Sequence, residues 1–432
     1  MKNPISNASR PTGRCAAPSP NCLAEAPVRS CRPCSQSSRV GLTRATTSNR
    51  FLGGSSMHIG IATGLQHYGP DGEEADYPDG QFVREEVERW VLAEELGLDS
   101  IWLTEHHFTR HSLAPDPLMF LSYLAGRTRR IRLGTQVLVL PWHDPVRLAE
   151  QIITLDEVSN GRAIIGLGRG MAPREYKGLR IDPEAARQRY DEMLQLLVDG
   201  LETGVMEGGE FFQQPRVELR PRPGRSFKGR LFAALGSPDS QRQAGRLGLG
   251  QLTTTTLPFK VPEGGLPIDS YLNAWREAHG PDNKPPAPFA SSIIVVDESA
   301  DRAQEIARLY GGNAQRVGIW HYQMRGRPAY GPIPAIETDE DVERMVDGFV
   351  SQIIAGTPDQ VLKRLEETRD QIHPQGMFPQ LFFGGMPHDE AVRNMRCFAE
   401  HCMPEIKSWP ASSSIDGDAT ESAAGASEAG PR

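Results

Sequence analysis

The sequence predicts an α/β fold, a (β/α)8 TIM barrel with insertions. Two observations carry that reading. Eight strand patterns alternate with helical ones over about 350 residues. The strands are short and apolar on both faces, as parallel strands covered by helices must be. A doubly wound sheet is the alternative architecture for the same alternation.

The strand patterns fall at 58–63, Ser100–Thr104, Ile131–Val139, Ala163–Leu167, Leu231–Leu235, Gln251–Thr254, Ser291–Val296 and Gln380–Phe383. Helical periodicity fills the gaps. Gln81–Leu96 puts Phe82, Val83, Val87, Trp90, Val91 and Leu96 on one side and stops at Gly97. Asp182-Pro183-Glu184 reads as a cap, a first-turn proline and an acidic first turn, opening a helix to about Leu201. Ser299–Tyr310, Pro358–Ile372 and Asp389–Ile406 read as helices in the same way. Two insertions stand out. Val205–Arg222 has the pattern of a hairpin, and Asn313–Glu337, rich in aromatics, Gly and Pro, is long enough to serve as a cover over a site.

The chain has 432 residues and a net charge of −8, unevenly spread. Residues 1–56 carry +7, with Glu25 their one acid, so the remainder carries −15. An acidic body without a basic groove gives nucleic acid no purchase. No apolar run reaches the ~18–20 residues of a membrane span, so neither partner is expected, and the body reads as cytoplasmic. Cys15, Cys22, Cys31 and Cys34 also lie in the first segment, leaving only Cys397 and Cys402 beyond it. Cys31-Arg-Pro-Cys34 has the spacing of half a zinc site, but its Ser/Pro/Arg-rich surroundings lack apolar periodicity. The segment is Arg- and Ser-rich like a transit peptide. Met57, which opens a clean strand pattern, is the simpler natural start. The expected organisation is therefore a disordered extension at 1–56, one barrel domain at 57–408 and a disordered Ala/Ser/Gly/Glu-rich tail at 409–432.

In such a barrel, chemistry sits where strands end. Trp102-Leu103-Thr104-Glu105-His106-His107-Phe108 closes the second strand. Adjacent strand residues face opposite ways, and no H-x-H or H-E-x-x-H spacing occurs, so no metal is expected. His106 reads as a proton-transfer or hydrogen-bonding group at the mouth, or as one of several residues packed in a loop. Ile164–Met171 runs from a strand into Gly168-Arg169-Gly170, a turn that lets backbone and a guanidinium approach a phosphate, or simply a turn. Its G-x-G-x-G spacing followed by Pro173 is not a dinucleotide fingerprint. Gly236-Ser237-Pro238-Asp239-Ser240 opens a helix and offers hydroxyls and free N–H groups to an anion, or caps the helix. Arg169, Ser237 and Ser240 come from neighbouring strand ends and together could grip one phosphate.

Taken in order, Glu105-His106-His107-Phe108, Ile131–Thr135 through Leu140-Pro141 and Asp144-Pro145-Val146-Arg147, Gly168-Arg169-Gly170-Met171, Gly236–Ser240, Val295-Val296-Asp297 and Gly356-Thr357-Pro358 resemble the bacterial luciferase-like flavin monooxygenases. The likeness spans residues 57–408. It implies a barrel that binds reduced FMN, supplied by a separate flavin reductase, and uses O2 to oxidise an organic substrate through a flavin C4a-hydroperoxide; Trp102, Phe108, Leu140 and Trp142 near the mouth point to a small, hydrophobic one, or belong to the core. It implies His106 as the catalytic histidine, and Arg169, Ser237 and Ser240 at the phosphate. Gly170 and Met171 lie alongside, and a non-proline cis peptide at Gln136–Val137 lies under the flavin ring. It also implies a homodimer. Relatives on the same barrel use deazaflavin F420 for hydride transfer, and a flavin-binding protein without turnover is the third reading. Where the luciferase catalytic chain has a reactive cysteine this chain has Gly168, so no thiol role follows, and the insertion 313–337 matches the family only loosely, so neither light emission nor a long-chain aldehyde substrate follows.

Overall fold

A computed structural model describes residues 56–69, 71–254, 268–327 and 334–415. The cysteine-containing segment before Ser56 and the tail after Ile415 lie outside the described residues. The barrel strands are β1 (His58–Thr63), β2 (Ser100–Leu103), β3 (Arg132–Thr135, resuming at Leu138–Val139), β4 (Ala163–Gly168), β5 (Leu231–Ala234), β6 (Gly250–Thr254), β7 (Phe289–Ser291) and β8 (Gly376–Met377). All pair in parallel, each with its sequence neighbours. β8 closes the ring on β1, matching His58 with Gly376. The predicted barrel is the observed fold.

Alternation along each strand divides the apolar residues into two cores. Ile59, Ile61, Ile101, Leu133, Ile165 and Leu167 face outward into the layer under the helices. Ala62, Trp102, Ile164, Phe232, Leu252, Phe289 and Phe378 fill the interior. Trp102 stacks on Phe378 with centroids 4.7 Å apart. Room for that indole comes from the next strand, where a Cβ on Gly134 would lie 2.7 Å from it.

Several helices begin as their sequences dictate, with a capping side chain followed by a proline whose missing N–H is no loss there. Asp116 caps Pro117–Arg127, Asp144 caps Pro145–Val158 and Ser237 caps Pro238–Leu247. Pro358–Ile372 starts at its predicted residue, and the expected hairpin pairs Val205–Gly208 with Gln214–Glu218. No helix among the described residues is long and apolar enough to cross a membrane.

The differences have local causes. The pattern Ser291–Val296 is two strands: β7 ends at Ser291, and Ile294–Val296 leaves the barrel to pair with Ile354–Gly356. Both pieces are wholly buried, and Ser291 and Ser292 at the break are buried with them, so the break does not look like an exposed loop. The eighth strand lies at Gly376–Met377 rather than 380–383, because Pro379 has no N–H to continue the ladder. Gln380 returns to the barrel by single bridges to Ala62 and Ile293. Asp182 caps a turn, accepting from the Glu184 amide at 3.0 Å, and the helix proper is Ala186–Thr203. The helix expected to end at Tyr310 runs on as Ala300–His321, so the first part of the 313–337 insertion is helical. Residues 409–415 lie against the barrel: Trp409 is buried, its carbonyl accepts from the Met57 amide at 3.0 Å, and Ser414 bridges to Pro286.

Candidate active site

Strand β2 delivers Glu105, His106 and His107 to the mouth. Glu105 is buried and joins two loops, its Oε2 accepting from the Val139 amide and its Oε1 meeting His143 Nε2, both at 2.7 Å. His107 Nε2 lies 3.5 Å from the same Oε1. Burial alone would raise the Glu105 pKa, but the hydrogen bonds from His107, His143 and the amide outweigh it and hold the carboxyl below its usual range. The same contact raises His143 against its own burial.

His106 lies between two groups. Its Nδ1 is 3.2 Å from Glu175 Oε1, and its Nε2 is 3.2 Å from the Tyr322 hydroxyl. Glu175, on the helix Pro173–Leu179, is 1% exposed and also accepts from the His107 amide at 2.7 Å. Its burial works to raise its pKa, yet hydrogen bonds from His106, His321 and that amide bring it down to about 2. An ionised carboxylate only accepts, so the His106 proton sits on Nδ1 and Nε2 faces the phenol. His111 and His321 complete the cluster, stacked with centroids 4.4 Å apart and planes at 18°. Burial, with neighbouring imidazoles, holds the His111 pKa well below the ordinary value, and burial also lowers His321.

One nitrogen each from His106, His111 and His321 lie within 4.8 Å of one another. Imidazole donates to a metal in its ring plane, and two near-parallel stacked rings do not aim their lone pairs at a common point. The cluster therefore suits proton exchange better than metal coordination. The helix Ala300–His321 brings His321 and Tyr322 here from the predicted cover. Its end is clamped by Trp320, whose ring has the Arg110 guanidinium at 4.5 Å and that of Arg174 at 4.1 Å.

At the break in β3, the strand next to β2, the Gln136–Val137 peptide is cis, with the Gln136 amide donating to the Leu103 carbonyl at 2.7 Å. Val137 packs on the interior cluster, and a Cβ on Gly168 would lie 2.3 Å from its Cγ2. Gly168 thus stands where the chain has no room for the cysteine of the luciferase pattern. Gly170 takes a left-handed φ of +73°. The Tyr176 hydroxyl donates to the Arg169 carbonyl at 2.7 Å and fixes this turn, and Met171 is 42% exposed.

Leu167 of β4 pairs with Ala233 of β5, so Arg169 and the Ser237 turn leave adjacent strands at the same end. Ser237 Oγ accepts from the Ser240 amide at 3.3 Å and lies 3.1 Å from Ser240 Oγ. Arg187, which the sequence did not single out, donates to Ser240 Oγ at 3.1 Å and to Asp191 at 2.8 Å. The structure therefore brings together two hydroxyls, a helix start and a guanidinium, with Arg169 on the neighbouring turn.

The sequence pointed to His106 and both strand-end turns, and the family resemblance pointed to the cis bond at Gln136–Val137, which the structure has. It missed Glu175, His111, His143, His321, Tyr322 and Arg187. His321 and Tyr322 at least lay in the insertion flagged as a cover.

A family model described as luciferase-like monooxygenase matches residues 57–373. The alkanal monooxygenase alpha chain of Photorhabdus luminescens is 25% identical over 347 residues, covering 77% of this chain and 95% of that protein. The oxygenase component of the flavin-dependent trigonelline monooxygenase of Acinetobacter baylyi is 32% identical over 166 residues, covering 38% of this chain and 46% of the other. Among solved structures, the monooxygenase RslO1 of Streptomyces bottropensis aligns with 81% of this chain and 99% of its own, with a TM-score of 0.63 and 26% identity. The family match runs from the first strand of the barrel to the end of the helix Pro358–Ile372, and the chain belongs to the luciferase-like monooxygenase family.

Proposed function

We propose that this chain is the oxygenase of a two-component system, binding reduced FMN delivered by a separate flavin reductase and using O2 to oxidise a small, hydrophobic organic substrate. The observation that carries the reading is the anion grip: Ser237, Ser240 and Arg187 meet at the start of the helix Pro238–Leu247, beside the turn bearing Arg169. Two hydroxyls and a guanidinium at a helix start are donors that suit a phosphate dianion, so the residues present fit a phosphorylated flavin. Reduced FMN, when bound, supplies the electrons that activate O2.

The rest is the work of this chain. Gln136 and Val137, at the break in β3, and Gly170 and Met171, after β4, would hold the flavin ring in the space at the mouth. His106 faces that space from β2 with its Nδ1 proton held by Glu175, leaving Nε2 to exchange a proton. The Trp320 clamp holds the end of the helix Ala300–His321 over the site and limits entry of water, which oxygen chemistry on a reduced flavin requires.

The test is anaerobic titration with reduced FMN, reduced riboflavin and reduced F420, each followed by an oxygen pulse. The expected order is FMN tighter than riboflavin by about 10–100-fold, the worth of a charge-assisted phosphate contact. Tight binding of F420 without FMN would overturn the reading.

A further inference from the structure

The proposed function assigns His106 and leaves the phenol on its other nitrogen without a task. We propose that Tyr322 is the catalytic residue that takes the proton from a substrate hydroxyl of phenol or enol acidity. It passes its own proton to His106 Nε2, while Glu175 positions His106 to receive it. The inference rests on the oxygenase reading for the oxidant only.

The geometry is a line of three groups. Glu175 Oε1 is 3.2 Å from His106 Nδ1, and His106 Nε2 is 3.2 Å from the Tyr322 hydroxyl. With the carboxylate ionised, Nδ1 carries the proton and Nε2 is left to accept, as in a Ser-His-Asp arrangement with a phenol in place of the serine. Burial, with the Glu175 charge nearby, raises the Tyr322 pKa, so the phenol is protonated at rest and transmits a proton rather than storing charge. His111 and His321 set their rings edge-on to Tyr322, with centroids 5.4 and 4.8 Å away. Both imidazoles have lowered pKa values, so a positive charge arriving on His106 meets neutral rings and one carboxylate.

The step balances. The substrate O–H bond breaks as a new O–H forms on Tyr322, the original Tyr322 proton moves to Nε2, and the imidazolium stands against Glu175. No electrons change hands. Here the anion must stand before it is attacked at carbon, rather than form in concert with its own attack as serine does in the triad, so the substrate O–H must approach the imidazolium in acidity, which favours phenols and enols over aliphatic alcohols. The anion left behind is electron-rich at carbon, the form an electrophilic oxygen donor attacks.

The experiment uses the full chain and 4-nitrophenol, a phenol whose absorbance reports its ionisation, at a pH one unit below the probe's own pKa. In the wild type the bound probe is expected as the yellow anion. Tyr322→Phe should still bind it but lower the bound-anion fraction at least about tenfold. Glu175→Gln should do the same, with Glu175→Asp recovering part. Nitrogen NMR of 15N-histidine-labelled protein should show the His106 proton on Nδ1 in the wild type and a tautomer mixture in Glu175→Gln. The proposal is overturned by a probe that binds neutral or not at all, by a Tyr322→Phe variant that ionises it equally, or by a wild-type His106 proton on Nε2. A failure of the flavin reading would appear instead as absent FMN binding in the anaerobic titration, with the probe's ionisation untouched.

Discussion

Gly168→Ala tests the packing under the mouth. The added Cβ would lie 2.3 Å from Val137 Cγ2 and 3.2 Å from its Cβ. Ordinary carbon contact is near 3.7 Å, so one side must retreat by about 1.4 Å. Gly168 is held in β4 through the pairing of Val139 with it, and Val137 is packed on the cluster of Trp102, Phe232 and Phe289. Overpacking of this kind costs about 1–3 kcal/mol. For a domain of about 350 residues that is a fall in melting temperature of about 1–4 °C, measurable by calorimetry. Because Val137 borders the proposed flavin site, affinity for reduced FMN should also fall, by about fivefold or more. Removing the two Cγ atoms should restore the space, so Gly168→Ala combined with Val137→Ala should show a favourable coupling of about 0.5–3 kcal/mol. An unchanged melting temperature with unchanged FMN affinity, or a coupling near zero, would refute the argument.

Three further outcomes follow from named contacts. Arg230 and Asp156 form an ion pair with both residues at most 1% exposed, so Asp156→Asn should cost about 3–5 kcal/mol in urea denaturation; a loss below about 1 kcal/mol would mean that the guanidinium's backbone partners, the Ser226 and Ala163 carbonyls among them, hold it adequately. Glu175 has its folded pKa depressed from 4.5 to about 2, so its contribution is fully present above pH 4.5 and disappears as the pH falls to about 2. Across that window the wild type should lose about 3 kcal/mol more than Glu175→Gln, and parallel curves for the two proteins would contradict the assignment. Arg187→Ala removes the donor to Ser240 and should weaken reduced FMN about 10–100-fold while leaving reduced riboflavin unchanged; equal loss for both flavins would place Arg187 away from the phosphate.

The parts of the fold legible in the sequence were those whose signals are local. Thr357-Pro358 announces the helix Pro358–Ile372 because the cap and the proline are adjacent in the chain. The hairpin at 205–218 is likewise self-contained. The strand Ile354–Gly356 was missed because its partner, Ile294–Val296, is a strand that looked like the continuation of β7. The two serines at the change of sheet, Ser291 and Ser292, are buried like the strands they join, and two small residues inside an apolar run read as strand rather than turn.

The site divides in the same way, and one helix shows why. His106, Arg169, Ser237 and Ser240 sit on turns whose own residues advertise them. Glu175 and Tyr322 meet His106 across 69 and 216 residues, so only closure of the barrel makes them partners. Gly311-Gly312 reads as a helix stop, and a reading that stops there assigns His321 and Tyr322 to a loop. In the structure the helix Ala300–His321 passes through both glycines. A Cβ on Gly311 would lie 2.3 Å from Ile353 Cδ1, so the first glycine serves the close approach of the segment carrying Ile353, not termination. That close packing seats the helix, and the helix carries Tyr322 to His106. Gly311→Ala should therefore disturb the Tyr322 hydroxyl contact as well as stability, although it lies about 16 Å from it along a helix rising 1.5 Å per residue. A variant with the wild-type melting temperature and wild-type nitrogen shifts at His106 would show that the helix is seated by other contacts.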